Sequence, residues 1–233
     1  MSPDSDHRMN PNPLLAIVLY RPRPGKRMLR RPISSIGHVG LGYNMSISFY
    51  IMADRPENET EREKAIATSN LISSPHVARF RPILATIRDT LHAGSAAITL
   101  VYQDSTYVLS AVGFEAGIYR RSTSFCAHAI LSPDELTIVP DAGADERFAG
   151  NPFVDTDQGI QFYIGAPLRN ENGTVLGALC VFDEKPRHFI TDEDRARILE
   201  LTREAEAIIH EIGKKSDVAG GQAARSSLES QRP

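Results

Sequence analysis

Residues 159–183 read GIQFYIGAPLRNENGTVLGALCVFD, and this stretch decides the fold. Apolar side chains alternate from Ile160 to Leu168, which is the period of a half-buried β-strand. The residues from Asn170 to Gly173 tolerate left-handed backbone, so they predict a hairpin turn. The return strand, 174–182, is apolar on both faces, which is typical of a central strand covered on both sides. The sequence therefore predicts a hairpin that contributes a central strand to the core.

The rest of the chain shows the periodicity of both helices and strands. Apolar residues spaced three and four apart within 59–93 predict helices with one core-facing stripe. Strands are predicted at 96–102, 106–112 and 136–139, a loop at 113–121, a short helix at 125–131 and a long loop at 140–156. A last helix is predicted from Thr191 to about Ile212, where Gly213 stops it. Hairpins with helices gathered at the ends indicate an antiparallel α+β fold.

Composition is that of an ordinary globular protein. The 233 residues are 41% hydrophobic and 24% charged, with a net charge of −3, so nothing favours nucleic acid or an anionic membrane as partner. The apolar run 14–20 has seven residues, whereas a membrane-spanning helix needs about 20. The only cysteines are Cys126 and Cys180, too few for a disulfide framework and in keeping with a reducing compartment. We expect a cytoplasmic protein.

The net charge of the N-terminal segment is opposite in sign to that of the rest of the chain. Residues 1–51 carry seven basic and two acidic side chains, a net charge of +5, which leaves −8 for the remainder. Six prolines break this segment, so we interpret it as a disordered extension or a start assigned too far upstream of Met52, with a basic nucleic-acid-binding arm as the alternative. We expect one folded domain over 57–213 and a disordered tail over 214–233, which has little apolar surface.

Several sequence blocks resemble a bacterial GAF domain of the type that serves as an input module in sensor kinases and cyclic-dinucleotide enzymes. The resemblance extends from about Glu59 to Ile212. Its blocks are SFCAHAI at 124–130, VPDA at 139–142, DERF at 145–148, NP at 151–152, IQFYIGAPL at 160–168 and LGALCVFD at 176–183.

The resemblance implies an arrangement of the predicted elements. It implies a central antiparallel sheet in the order 2-1-5-4-3. The N- and C-terminal helices would cover one face, and the short helix with the 140–156 loop would roof a pocket on the other. Members of the family bind cyclic nucleotides, tetrapyrroles, haem, small metabolites or nothing known, so the cofactor stays unspecified.

We expect seven residues to contact a small ligand in that pocket, with a purely structural role as the alternative for each. Cys126 lies near the predicted N-terminus of a helix, where the dipole favours a thiolate. His128 diverges from it on the helix, so the two do not predict a metal site. Cys126-Ala127-His128 departs from the Cys-His pair of bilin-binding photoreceptors. The expected ligand-binding residues are Phe125, Cys126, His128, Asp141, Phe148, Phe162 and Tyr163.

The sequence shows no catalytic constellation, so we expect a sensory module that binds an unidentified small molecule and is not an enzyme. It would signal in trans, with a histidine kinase or a cyclase as a candidate partner. The alternative is a thiol-based redox enzyme or sensor that uses Cys126, similar to the free methionine sulfoxide reductases that share the fold. Those enzymes use several cysteines, whereas Cys180 lies in a buried strand and reads as a small core residue.

The last helix carries a heptad-like apolar stripe. We expect a homodimer through this stripe, which consists of Ile198, Leu201, Ala205, Ile208 and Ile212. The alternative is that the stripe covers the domain's own sheet, as in any amphipathic surface helix.

Overall fold

The computed structural model describes residues 50–73 and 75–229. Except at Tyr50 and Ile51, the prediction for residues 1–51 lies outside them. Ile51 donates its backbone N–H to the Arg147 carbonyl (3.0 Å), so residue 51 already pairs with the folded domain.

One antiparallel sheet of six strands forms the centre of the domain, in the order β3-β2-β1-β6-β5-β4. β6 lies between β1 and β5 and is buried from Val175 to Val181, as its two apolar faces predict. Gly177 permits the close approach of β1, because an added Cβ would overlap the Thr99 carbonyl oxygen. The strands are β1 (Ser95–Tyr102), β2 (Ser105–Val112), β3 (Ile118–Arg120), β4 (Thr137–Val139), β5 (Phe162–Arg169) and β6 (Val175–Asp183).

The order of the five predicted strands is confirmed, and a sixth extends it. The segment 113–121, predicted as a loop, contains β3, which pairs with β2 from Ser105 to Tyr107. Three residues are too few for a periodic signal, so pairing with β2 and not local propensity makes this strand. The β5–β6 turn forms as predicted: Gly173 has φ of +81°, and the Asn170 side-chain oxygen accepts from the N–H groups of Asn172 and Thr174.

The prediction that β5 is half-buried is wrong, because all residues from Phe162 to Leu168 are buried. Both faces of the sheet are covered. On one face lie α1 (Glu59–Thr68), a 3₁₀ turn (Pro75–Phe80), α2 (Arg81–Thr90) and α4 (Asp192–Glu229). On the other lie α3 (Phe125–Ala129) and the loop that contains Phe148 and Val154. The predicted division of the helices between the two faces is confirmed.

α4 differs from its prediction at its C-terminal end. It continues to Glu229, past Gly213 where the sequence analysis ends it, so the backbone over 214–229 is helical and not the expected disordered tail. A glycine costs a helix only about 1 kcal/mol relative to alanine, and the residues that follow include several good helix formers.

The apolar stripe of α4 packs on the domain's own sheet. Ile198, Leu201, Ala205 and Ile212 are all buried in the core, and Ile208 packs against it partly buried. The alternative interpretation of the stripe therefore accounts for these five residues. Leu199 on the same helix is 42% exposed. The homodimer itself stays a prediction.

A buried ion cluster attaches α1 to the sheet. The Arg62 side chain is 1% exposed and donates to the carbonyls of Val101 and Leu176. Its guanidinium makes two hydrogen bonds to the Glu59 carboxylate, at 2.8 and 3.0 Å, and Arg121 pairs with the same carboxylate. One carboxylate thus balances two buried cations.

No helix in residues 50–73 or 75–229 has the length and apolar character needed to span a bilayer.

Candidate ligand-binding site

A cavity of about 220 Å³ lies on the sheet face covered by α3. β1, β2, β5 and β6 form its floor, α3 forms part of its roof, and the segment 153–160 forms the rim. Thr156 and Gln158 in the rim are exposed, so the cavity reaches solvent there. No Asp, Glu, Lys, Arg or His of the described chain lines it. The lining is therefore apolar and aromatic, with hydroxyl, amide and thiol groups as its polar atoms.

Hydroxyl groups line the cavity floor, and their hydrogen bonding differs. Thr99 donates to the Ala178 carbonyl at 3.2 Å, which satisfies its hydroxyl within the sheet. The Thr106 hydroxyl is buried and has no hydrogen-bond partner among the described residues. Buried polar groups are nearly always paired in folded proteins, and Thr106 also lines the cavity, so a ligand held there is the natural source of the missing partner.

The thiols of Cys126 and Cys180 both line the cavity, and both are buried. Ser124 caps the single turn of α3, accepting the Ala127 N–H at 3.3 Å, and so fixes Cys126 beside the floor. The Tyr163 hydroxyl donates to the Cys126 sulfur at 3.4 Å.

The neighbouring thiol and hydroxyls shift the pKa of Cys126. Hydrogen bonds to its sulfur, foremost from the Cys180 thiol and then from hydroxyls that include those of Tyr163 and Ser124, lower the pKa of Cys126 to about 7, although burial opposes this. The hydrogen bond to Cys126, together with burial, raises the pKa of Cys180. Burial and the two thiols raise the pKa of Tyr163, so it remains a hydrogen-bond donor at neutral pH. One thiol of the pair is thus favoured to ionise and the other to stay protonated.

Three of the seven expected ligand-binding residues line the cavity: Phe125, Cys126 and Tyr163. Phe148 lies behind them, fully buried, with its ring stacked on Phe125 at a centroid distance of 3.9 Å. Phe162 lies on the opposite face of the sheet, in the core beneath the helices. Adjacent residues of a strand point to opposite faces, so Phe162 and Tyr163 do not share one pocket.

The remaining two residues, His128 and Asp141, make hydrogen bonds to backbone groups and do not line the cavity. His128 contacts the Ile51 carbonyl through Nε2 at 3.1 Å, and since a carbonyl only accepts, Nε2 carries the proton. Burial lowers the pKa of His128, which keeps the ring neutral at pH 7. Asp141 accepts the Gly143 N–H at 3.0 Å and shapes a turn. Both therefore have the structural role that the sequence analysis gave as the alternative.

Sequence reasoning missed Thr106 and the cavity-facing position of Cys180. Cys180 lies opposite Ala97 of β1 in the strand register, and Ala97 also lines the cavity. The signal was present, because the predicted strand order assigns one face of β6 to the roofed side. An apolar pattern alone does not tell a cavity lining from a packed core.

Residues 76–209, more than half of the chain, match the GAF domain family. The chain therefore belongs to this family, and the resemblance seen in the sequence is confirmed.

Similar proteins include a cyclic di-GMP phosphodiesterase of Pseudomonas aeruginosa, which is 32% identical over 157 residues. The alignment covers 67% of this chain and 27% of the phosphodiesterase, so the chain spans about a quarter of that relative. Among solved structures, the free methionine-R-sulfoxide reductase from Neisseria meningitidis in complex with its substrate is 18% identical (TM-score 0.46; 73% of this chain and 99% of that one). The GAF domain of the Acinetobacter phosphoenolpyruvate-protein phosphotransferase is 16% identical (TM-score 0.46; 66% and 93%).

Proposed function

We propose that this chain is a sensory or regulatory domain that binds a small, uncharged molecule in the α3-side cavity and passes its occupancy to a partner protein. Family membership supports the sensory role, since GAF domains recur as ligand-binding modules in signalling proteins. The single observation that carries the proposal is the cavity with the orphaned Thr106 hydroxyl.

Size and charge define the class of ligand. The cavity of about 220 Å³ holds the volume of about seven liquid water molecules, which is below the range of about 300–1,000 Å³ for drug-sized ligands. A phosphate or carboxylate entering it would lose hydration without meeting a cationic side chain, which is costly. We therefore propose a neutral metabolite with one polar group for Thr106 and apolar surface for the aromatic lining.

Two threonine variants test this site. Thr106→Val removes a hydroxyl that has no partner, so it should stabilise the ligand-free protein by about 1 kcal/mol and abolish ligand retention. The matched variant Thr99→Val removes a hydroxyl that is satisfied by Ala178, so it should destabilise the protein by a similar amount. Native mass spectrometry measures retention, and urea unfolding measures stability.

The result that overturns the proposal is specific. The proposal fails if the purified protein retains no small molecule and if no member of a neutral-metabolite library raises its melting temperature. A wild-type protein and a Thr106→Val variant with equal retention would remove Thr106 from the site.

For the partner, we propose a signalling enzyme such as a histidine kinase or a cyclic-dinucleotide enzyme, acted on in trans. The similarity to a cyclic di-GMP phosphodiesterase supports the second kind. We further propose that the chain itself is not an enzyme, which is supported by a cavity lining without carboxylate or imidazole groups for acid–base catalysis. Pull-down with the ligand-loaded and ligand-free forms, compared side by side, tests the partner.

A further inference from the structure

The cavity brings together the two cysteines, from elements far apart in the chain. Cys126 lies on α3 in the roof, whereas Cys180 lies on β6, a central strand of the floor. Both belong to the same buried cluster and both line the cavity. Neither forms a disulfide in this structure.

Strand register and the Tyr163 side chain place the two cysteines on the same side of the cavity. Gly165 of β5 lies directly opposite Cys180 of β6. The Tyr163 side chain folds back over Gly165, since an added Cβ there would lie 2.8 Å from the Tyr163 ring. The same tyrosine donates its hydroxyl to the Cys126 sulfur at 3.4 Å. The Tyr163 side chain thus reaches from Gly165, which faces Cys180, to the sulfur of Cys126.

The surroundings of the pair suit thiol chemistry. Hydrogen bonds from the Cys180 thiol and from nearby hydroxyls favour the Cys126 thiolate, whereas the same contact keeps Cys180 protonated. A thiolate is the nucleophilic form of cysteine, and a second thiol beside it resolves the oxidised product. The exposed rim at Thr156 and Gln158 admits a small neutral oxidant.

We propose that Cys126 and Cys180 form an oxidant-reactive dithiol, which a small hydroperoxide converts into a disulfide inside the cavity. The Cys126 thiolate attacks the outer peroxide oxygen: the S–O bond forms, the O–O bond breaks, and the alkoxide leaves and takes a proton to become an alcohol. The Cys180 sulfur then attacks the sulfenic sulfur, the S–S bond forms, and the hydroxide leaves with the Cys180 proton as water. Two electrons pass from the thiols to the peroxide, and a dithiol reductant reverses the change.

The disulfide would tie the roof of the cavity to its floor. α3 would become covalently joined to β6, and both thiols would leave the polar lining of the site. Oxidation therefore changes the cavity in the region where a ligand would contact it. The reaction itself needs no resident ligand, so it goes beyond the proposed sensory function and can hold where that function fails.

Intact mass spectrometry of the reduced full chain tests the reaction. After brief treatment with hydrogen peroxide and alkylation, the wild type should lose about two mass units, for two hydrogens, and take up no alkyl group. Cys180→Ser should instead trap a sulfenic acid at Cys126 that reacts with dimedone. Cys126→Ser should oxidise at least tenfold more slowly. A wild type that keeps two free thiols, or that oxidises only between chains, overturns the proposal.

Phenylarsine oxide tests the geometry without any oxidant, because one arsenic bridges two close thiolates. We expect one arsenic per wild-type chain, displaced by a small dithiol and not by a monothiol, and none retained by either single serine variant. Failure of the wild type to bind arsenic would show that the sulfurs do not converge.

Tyr163→Phe tests the positioning role of the hydroxyl. It should move the pH midpoint of Cys126 alkylation upward and slow peroxide oxidation severalfold. The matched control is Tyr107→Phe, since Tyr107 packs on the helix-covered side of the sheet. Equal pH midpoints for the two variants would remove Tyr163 from the site.

Discussion

Replacing Glu59 with glutamine should destabilise the domain more than neutralising either of the other two carboxylates of α1, Glu61 and Glu63. Its carboxylate, 12% exposed, accepts hydrogen bonds from two buried guanidinium groups, those of Arg62 and Arg121. Glutamine preserves the side-chain volume and removes the negative charge. Arg62 and Arg121, whose side chains are 1% and 7% exposed, would then lack the anion that balances them.

Two arguments give the size of the effect. Burial alone would raise the pKa of Glu59, but the hydrogen bonds and charges of Arg62 and Arg121 outweigh it and lower the pKa from 4.5 to about 2. A shift of that size corresponds to about 3 kcal/mol of stability at neutral pH. Removing one partner of a buried ion pair costs about 3–5 kcal/mol in other proteins. We therefore expect Glu59→Gln to lose about 3 kcal/mol at pH 7.

The pKa of Glu59 also fixes how its contribution to stability changes with pH. The folded pKa lies below the unfolded pKa, so the contribution is fully present above about pH 4.5 and is lost as the pH falls towards 2. Urea unfolding between pH 7 and pH 3 should show the wild type and Glu59→Gln converging in acid. Glu61→Gln is the matched control, because Glu61 lies in the same first helical turn but is exposed. A Glu59→Gln variant within about 0.5 kcal/mol of wild type at pH 7 would refute the reasoning.

Three further predictions use other parts of the domain. Leu201→Glu, at a 2% exposed position, should cost several kcal/mol in urea unfolding, whereas Leu199→Glu should change stability by less than about 0.5 kcal/mol. A Leu201→Glu variant that stays folded but sediments as a smaller species than the wild type would show instead that the apolar stripe of α4 joins two chains. Gly177→Ala should prevent folding, as read by circular dichroism, whereas Gly213→Ala should stabilise α4 by about 0.5–1 kcal/mol. Iodoacetamide should modify Cys126 with a midpoint near pH 7, and a midpoint above 8 would contradict the lowered pKa.

The sheet was predictable because its signals are local and agree with one another. The alternation from Ile160, the turn at Asn170–Gly173 and the apolar return strand all favoured one hairpin, and the structure forms it. β3 was not predictable, since three residues leave no period to detect and their strand exists only because β2 offers an open edge. The end of α4 was misjudged because a single glycine was taken as a stop, although its cost is about 1 kcal/mol.

The site was harder to predict than the fold, and Cys180 shows why. Its neighbours in β6 are apolar on both faces, and that pattern is the same whether a face meets packed side chains or an empty volume. Only the tertiary arrangement distinguishes them: α3 stands far enough from β6 to leave a cavity, and the side chains that border it come from segments widely spaced in the sequence. Its strand alone indicates that Cys180 is a small core residue, but in the folded domain Cys180 lines the same cavity as Cys126. Whether the two sulfurs are inert packing or a reactive pair then depends first on the contact between the two thiols and next on the Tyr163 hydroxyl, because both favour the Cys126 thiolate.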